Sequence, residues 1–238
     1  MKKLIPFIAL ILAASMLFAA CSNGTTTTSS ETTAPETQAT TEEKPTLKVV
    51  DNGDGTTDIV AVGTMPVTEG NYSTEHKRIR FTLENGGTFV IETYPEFAPE
   101  TCDNFVNLVS EGFYDGLTFH RIADLTGMGG YIIQGGDPKG NGTGGSDKKI
   151  HGEFAENGFA QNTMAHERGV VSMARSNHPD SASSQFFICC GEVPHLDGAY
   201  AAFGKIVEGM DTVDSLLEVD MRGTTPAKPI VIEKAEII

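Results

Sequence analysis

Phe119-His120-Arg121-Ile122, then Tyr131-Ile132-Ile133-Gln134-Gly135-Gly136-Asp137, and further on Ser183-Ser184-Gln185-Phe186-Phe187-Ile188 are the stretches on which the reading of this chain turns. Each is a short β-prone run closed by small or turn-forming residues, and none is long enough to argue for a helix. The first sets an arginine in an apolar strand with aromatic residues close by in sequence. Val170-Val171-Ser172-Met173-Ala174 leads into the third, so that Met, Gln and Phe stand on strands beside small residues. On pattern alone, the same residues read as core strands holding a satisfied arginine.

Working outward, further strand-like runs cover Arg78–Leu83, Thr88–Glu92, Thr118–Ile122, Ala201–Val207 and Pro229–Ile237. The first two are joined at Glu84-Asn85-Gly86-Gly87. Ala98–Gly112 reads as an amphipathic helix. Pro99 suits its first turn, Gly112 suits its C-terminal cap, and Cys102, Phe105, Val106 and Val109 fall at helical spacing. A second helix fits Met210–Glu218, with Met210, Val213, Leu216 and Leu217 inward. Many short strands with turn signals predict a barrel or sandwich. The Gly-rich stretch Gly135–Gly169 is long for a connection, and such loops are uncommon unless they serve a function.

The 238 residues suffice for one good-sized core, or two small ones. A formal net charge of −15 repels phosphate backbones, which argues against a nucleic-acid partner. Cys102, Cys189 and Cys190 form no CxxC pair and read as buried, inert thiols. There is no GxSxG, no HExxH and no GxxxxGK[ST], and the six histidines are scattered singly. A nucleophile elbow, a metal site and a phosphate-binding loop are therefore not supported, and no cofactor is expected.

Residues 1–20 have a basic start at Lys2 and Lys3, an apolar stretch and small residues at the end, which is the layout of a secretory signal peptide. The run Leu17-Phe18-Ala19-Ala20-Cys21 resembles a bacterial lipobox, with Phe18 as its one irregularity. That resemblance implies a lipid on Cys21 and a protein held on the outer face of the cell membrane. Residues 21–46 are rich in Thr, Ser and Glu, nearly devoid of apolar side chains, and expected to be disordered. Residues 47–75 hold two β-prone runs around an Asp-Gly-rich turn, a hairpin-like extension to which no role is assigned. The main domain is expected over 76–238.

The order of the segments adds what no one of them carries. FHRI, QGGDP, NGTGG, SMA, SSQFFI, LDG and FGKIVEGM follow one another with compatible spacing. From about Lys77 to the C-terminus the chain thereby resembles the cyclophilin family. The resemblance implies a mainly β fold, an eight-stranded antiparallel closed barrel capped by two α-helices. It also implies peptidyl-prolyl cis-trans isomerase activity on X-Pro segments of unfolded or exported proteins.

By the same resemblance Arg121 is the catalytic residue and His120 stands beside it. Tyr131, Ile132, Phe187 and Leu196 line the proline slot, with Met173 close behind. Gln134 holds Arg121 or the substrate carbonyl, and Gln185, Ala174, Arg175 and Gly142 flank the bound peptide. The chain departs from the family pattern in several places. Residues 123–130 form an insertion beside the active strand. Tyr131 replaces the usual Phe, Arg175 a common Asn, and Tyr200 a common His. His195 stands where an indole is frequent, which should weaken cyclosporin binding. An alternative is a non-catalytic module or surface scaffold that grips proline-containing segments without turnover.

Overall fold

A computed structural model describes residues 46–51, 57–62 and 70–238. The signal segment, Cys21, most of the spacer and the turn at 52–56 lie outside the described residues. β1 (Thr46–Asp51) and β2 (Thr57–Val62) pair antiparallel, Thr46 opposite Val62.

β3 (Arg78–Leu83) and β4 (Thr88–Thr93) form the first barrel hairpin, with Phe81 opposite Phe89 and their rings stacked 5.1 Å apart. α1 (Pro99–Ser110) follows, burying Cys102, Phe105, Leu108 and Val109. Leu108 takes the inward place expected of Val106, which is only partly buried. Gly112 ends the helix at φ +69, a left-handed conformation that glycine adopts without penalty. There its N–H donates to Val109 O (3.0 Å) and that of Phe113 to Leu108 O (2.9 Å), the paired bonds of a Schellman cap. The other end of α1 is capped from far along the chain. The buried Glu153 carboxylate accepts from the N–H of Glu100 (3.0 Å) and Thr101 (2.8 Å) and from the Thr101 hydroxyl (2.6 Å).

β5 (Thr118–Phe119) and β6 (Arg121–Asp124) are separated by one residue, His120. β7 (Tyr131–Gly135), β8 (Val170–Met173), β9 (Phe186–Cys189) and β10 (Ala202–Glu208) come next. α2 (Met210–Ser215), the short pair β11 (Met221–Arg222) and β12 (Thr225–Pro226), and β13 (Ile230–Ile237) complete the chain. Nine strands share one antiparallel sheet in the order β5-β13-β3-β4-β10-β8-β9-β7-β6. The two outermost members of that order, β5 and β6, are successive halves of one stretch. Its start pairs with β13, its end pairs with β7, and the sheet curls into a nearly closed barrel. Counting 118–124 as a single bent strand returns the eight expected from the sequence.

The barrel interior is filled. Phe81, Phe105, Tyr114, Phe119 and Phe186 meet there with ring centroids 5.3–6.2 Å apart in the recorded pairs. A filled eight-stranded barrel leaves no room for a ligand inside, so a binding site must lie on its outer surface. Strand alternation builds one there. On β9, Phe186 and Ile188 point into the main core, while Phe187 and Cys189 join a second, smaller cluster with Ile132, Val170, Val193 and Leu196. The second glycine of QGG is required for packing. Gly136 has φ +81, and a Cβ on it would come within 2.4 Å of Ser184 O.

The three described cysteines are free, and burial raises all three thiols, Cys190 to about 12. They stay protonated, as inert core residues do.

Candidate functional site

Arg121 and Gln134 face each other directly across β6 and β7, and Gln134 in turn pairs with Phe187 on β9. Register alone therefore brings three of the expected residues onto one outer face. Arg121 Nη1 donates to Gln134 Oε1 at 2.9 Å. Gln134 Nε2 donates to Gln185 Oε1 at 2.9 Å, and Gln185 Nε2 to the carbonyl of Gly144 at 2.7 Å. The relay has one direction. A carbonyl can only accept, so Gln185 must present its NH2 to Gly144 and its oxygen to Gln134. Gln134 is then left with its oxygen toward the guanidinium. None of the ion pairs among the described residues involves Arg121. Its remaining donors are directed by geometry rather than neutralised by a carboxylate.

The guanidinium lies on the wall of an open groove of about 810 Å³. Ile132, Phe187 and Leu196 supply its apolar floor, each under a tenth exposed. Phe187 is braced from behind. The His166 ring stacks on it at 6.0 Å and 17°, with Nδ1 2.9 Å from Asp197 and Nε2 2.9 Å from the Ser172 hydroxyl. Burial lowers the His166 pKa, so the ring is neutral. Nδ1–H then donates to Asp197, and Nε2 accepts from Ser172. Tyr200 meets Phe187 edge-on at 5.9 Å. The guanidinium of Arg175 is stacked between Tyr200 (4.5 Å) and Phe154 (5.0 Å) and donates to Ala199 O and Ser176 O. Arg175 thus occupies a rim position with its own donors engaged.

His120, Gly142, Ala174 and His195 also line this groove. His120 is only 7% exposed, with neither ring nitrogen hydrogen-bonded, and burial holds it below its ordinary pKa against the pull of Asp137. Gln185 lines an adjoining pocket of about 320 Å³ that shares Gln134, Gly142, Ala174 and Arg175 with the groove. Met173 is turned inward to the main core and is 1% exposed. Tyr131 stands outside the groove wall. Ile132 and Gln134 take the groove-facing positions of β7, so Tyr131 falls on the other side of the strand, 39% exposed.

Five wall residues escaped the sequence reading: Leu125, Gly140, Asn141, Thr224 and Thr225. Asn141 sits in the quoted NGTGG motif and could have been taken with Gly142. Leu125 is the one branched aliphatic side chain in the insertion. Thr224 reaches the site because its carbonyl accepts the Ile122 N–H at 2.8 Å, a pairing between residues remote in sequence that leaves no local signal.

Residues 78–237 match the family described as cyclophilin type peptidyl-prolyl cis-trans isomerase/CLD. A peptidyl-prolyl cis-trans isomerase of Helicobacter pylori is 41% identical over 139 residues, covering 58% of this chain and 78% of that one. Peptidyl-prolyl cis-trans isomerase B of Bacillus subtilis is 42% identical over 141 residues, 59% of this chain and 91% of that one. Among solved structures, a cyclophilin type peptidyl-prolyl isomerase of Cryptosporidium parvum, determined in the presence of the dipeptide Ala-Pro, superposes with a TM-score of 0.59 and 30% identity. That superposition covers 68% of this chain and 98% of the other.

Proposed function

This chain belongs to the cyclophilin-type peptidyl-prolyl cis-trans isomerase family and is a peptidyl-prolyl isomerase, and from that premise we propose that Arg121 is its catalytic group and exported proteins its substrates. The observation that carries the proposal is the Arg121 guanidinium, oriented by Gln134, unpaired with any carboxylate among the described residues, beside the apolar floor of Ile132, Phe187 and Leu196.

The barrier to X-Pro rotation is amide resonance, ~18–20 kcal/mol. In the twisted transition state that resonance is lost and the proline nitrogen gains a localised lone pair. A donor aimed at this nitrogen binds the transition state more tightly than either planar isomer, which is what lowers a barrier. The guanidinium suits the task because it stays protonated and its fork of donors is rigid. Gln134 occupies one N–H and leaves others for substrate. The apolar floor takes the pyrrolidine ring. No proton moves and no covalent intermediate forms. A lowering of ~7 kcal/mol corresponds to about 10⁵-fold.

A protease-coupled assay on a proline tetrapeptide tests the assignment. Arg121→Ala should lose about 10²–10³-fold in kcat/KM, the cost of removing one aligned donor, while its melting temperature stays close to wild type. An Arg121→Ala variant with the wild-type rate would sink the mechanism. A wild type no faster than buffer would leave only a proline-peptide binding module.

The lipobox-like run ending at Cys21 supports attachment to the outer face of the bacterial cell membrane through acyl chains, with the Thr-rich segment as spacer. Two or more chains give stable anchoring where one does not. Cys21→Ser should move the protein from the membrane fraction to the soluble one. Continued membrane retention of that variant would refute the anchor.

A further inference from the structure

We propose that Leu125, and not Tyr131, is the wall residue that selects the side chain flanking the isomerised bond, so that the 124–130 loop sets the enzyme's substrate preference. The inference rests on the isomerase mechanism argued above.

Leu125 lines the groove and packs on the apolar cluster that contains Ile132, Phe187 and Leu196. Tyr131 does not line the groove. The loop that carries Leu125 is built to hold it there. The Asp124 carboxylate accepts from the N–H of Thr126 (3.0 Å), Gly127 (2.9 Å) and Gly129 (3.0 Å). The Thr126 hydroxyl oxygen accepts from the N–H of Met128 (3.1 Å) and Gly130 (2.9 Å). Leu125 N–H closes the loop on Gly130 O at 3.0 Å. The loop is also seated on its neighbours without side-chain padding. A Cβ on Gly191 would meet Gly129 O at 2.4 Å, and one on Gly130 would meet Glu192 O at 2.8 Å. The conformation is therefore set before any ligand arrives, and a preorganised apolar contact costs little ordering on binding.

Beyond Leu125 the groove is walled by Thr224 and Thr225 of the β11–β12 hairpin, which docks on β6 beside Arg121 through the Thr224 carbonyl. A peptide whose proline nitrogen faces Arg121 must extend along this wall on one side. Its side chain there meets an aliphatic surface flanked by hydroxyls. The occupant that fits is an aliphatic residue, Leu or Ile, next to the X-Pro bond. A charged residue would be desolvated against Leu125 without a partner.

The test is a proline tetrapeptide series with Leu, Ser and Glu placed in turn at each position flanking the isomerised bond, read as ratios of kcat/KM. Wild type should favour Leu over Ser by about tenfold at one of these positions, the discrimination expected of one apolar contact. Leu125→Ser should bring that ratio to within about twofold of unity, Leu125→Met should keep it, and Tyr131→Ser should leave it as in wild type. Should Leu125→Ser prove unstable, the Leu125 methyl resonances of wild type give the second readout. They should shift on titration with the Leu peptide and stay fixed with the Glu peptide. A ratio that follows Tyr131 instead, or methyl groups indifferent to the Leu peptide, overturns the proposal while Arg121 keeps its role. Loss of the Arg121 effect itself would overturn the mechanism and this inference together.

Discussion

Two glycine-containing loops bracket β7, and each is folded around one aspartate. Before the strand, Asp124 gathers the N–H groups of Thr126, Gly127 and Gly129. After it, Asp137 gathers those of Lys139 (2.8 Å), Asn141 (3.0 Å) and Gly142 (2.6 Å). The device is the same and the deliverable differs. The Asp137 loop leads to Gly144, whose carbonyl terminates the amide relay on Arg121, so it orients a charge. The Asp124 loop delivers Leu125, so it shapes an apolar wall. The settings differ too. Asp137 is 1% exposed, whereas Asp124 is reached by solvent. A carboxylate that nucleates a loop is thus a general way to fix backbone near a groove, and what the loop contributes depends on the next side chain or carbonyl it presents.

The comparison breaks first at Asp137. Asp137→Ala removes the buried carboxylate on which several N–H groups of an exposed turn converge, a cost of about 2–3 kcal/mol in denaturant unfolding. The same variant should lose at least about tenfold in kcat/KM, since Gly144 no longer anchors Gln185 and the relay slackens. Unchanged activity would show that the relay does not hold Arg121 in place.

Acid titration sharpens the contrast. Burial works to raise Asp137, but the backbone N–H groups of Lys139, Asn141, Gly144 and Gly142 outweigh it and hold the carboxyl below its ordinary value. In the folded protein Asp137 therefore stays ionised after its unfolded counterpart, near 3.9, has taken a proton. Its contribution is full above about pH 5 and is lost as pH falls through the folded value. The difference in unfolding free energy between wild type and Asp137→Asn should be flat from neutrality to about pH 5 and shrink below about pH 4. A difference that grew on acidification would contradict the charge assignment.

Asp124 should give the smallest effect. The Gly129 N–H, ahead of those of Thr126 and Gly127, holds its carboxyl down as well, but in solvent. Asp124→Ala should shift the melting temperature less than Asp137→Ala and leave the rate on a small reference peptide within about twofold. It should still erode the preference for a flanking Leu, because the loop no longer fixes Leu125. Equal stability losses at the two aspartates would erase the distinction drawn between them.

What the sequence made legible follows the range of the interactions. The strands at 78–83 and 88–93 and the C-terminal end of α1 rest on alternation, a turn and a cap, all local, and they fall within a residue or two of expectation. The family series likewise located the polar relay, since Arg121, Gln134 and Gln185 lie inside quoted motifs. The strand count differed by one because His120 interrupts the pairing of a stretch that reads as continuous. β11 and β12 were not foreseen. Two-residue strands carry no period, and their docking depends on Thr224 meeting Ile122. Tyr131, expected at the proline slot, falls outside it by alternation with Ile132 and Gln134 on β7, and Leu125, for which no place was expected, reaches the wall because the loop gathered on Asp124 fixes it there. The His166 brace behind Phe187 was equally hidden, since Asp197 and Ser172 come from separate segments.

The bent stretch at 118–124 has one more effect. By pairing with β13 through its first half and with β7 through its second, it joins the two ends of the sheet. An open sheet offers its outermost backbone groups to any extended chain that drifts past. An isomerase spends its working life among such chains, which are unfolded and rich in unpaired amides. With its ends drawn together, the barrel gives them little free edge to extend, which leaves the groove as the place to hold a proline segment.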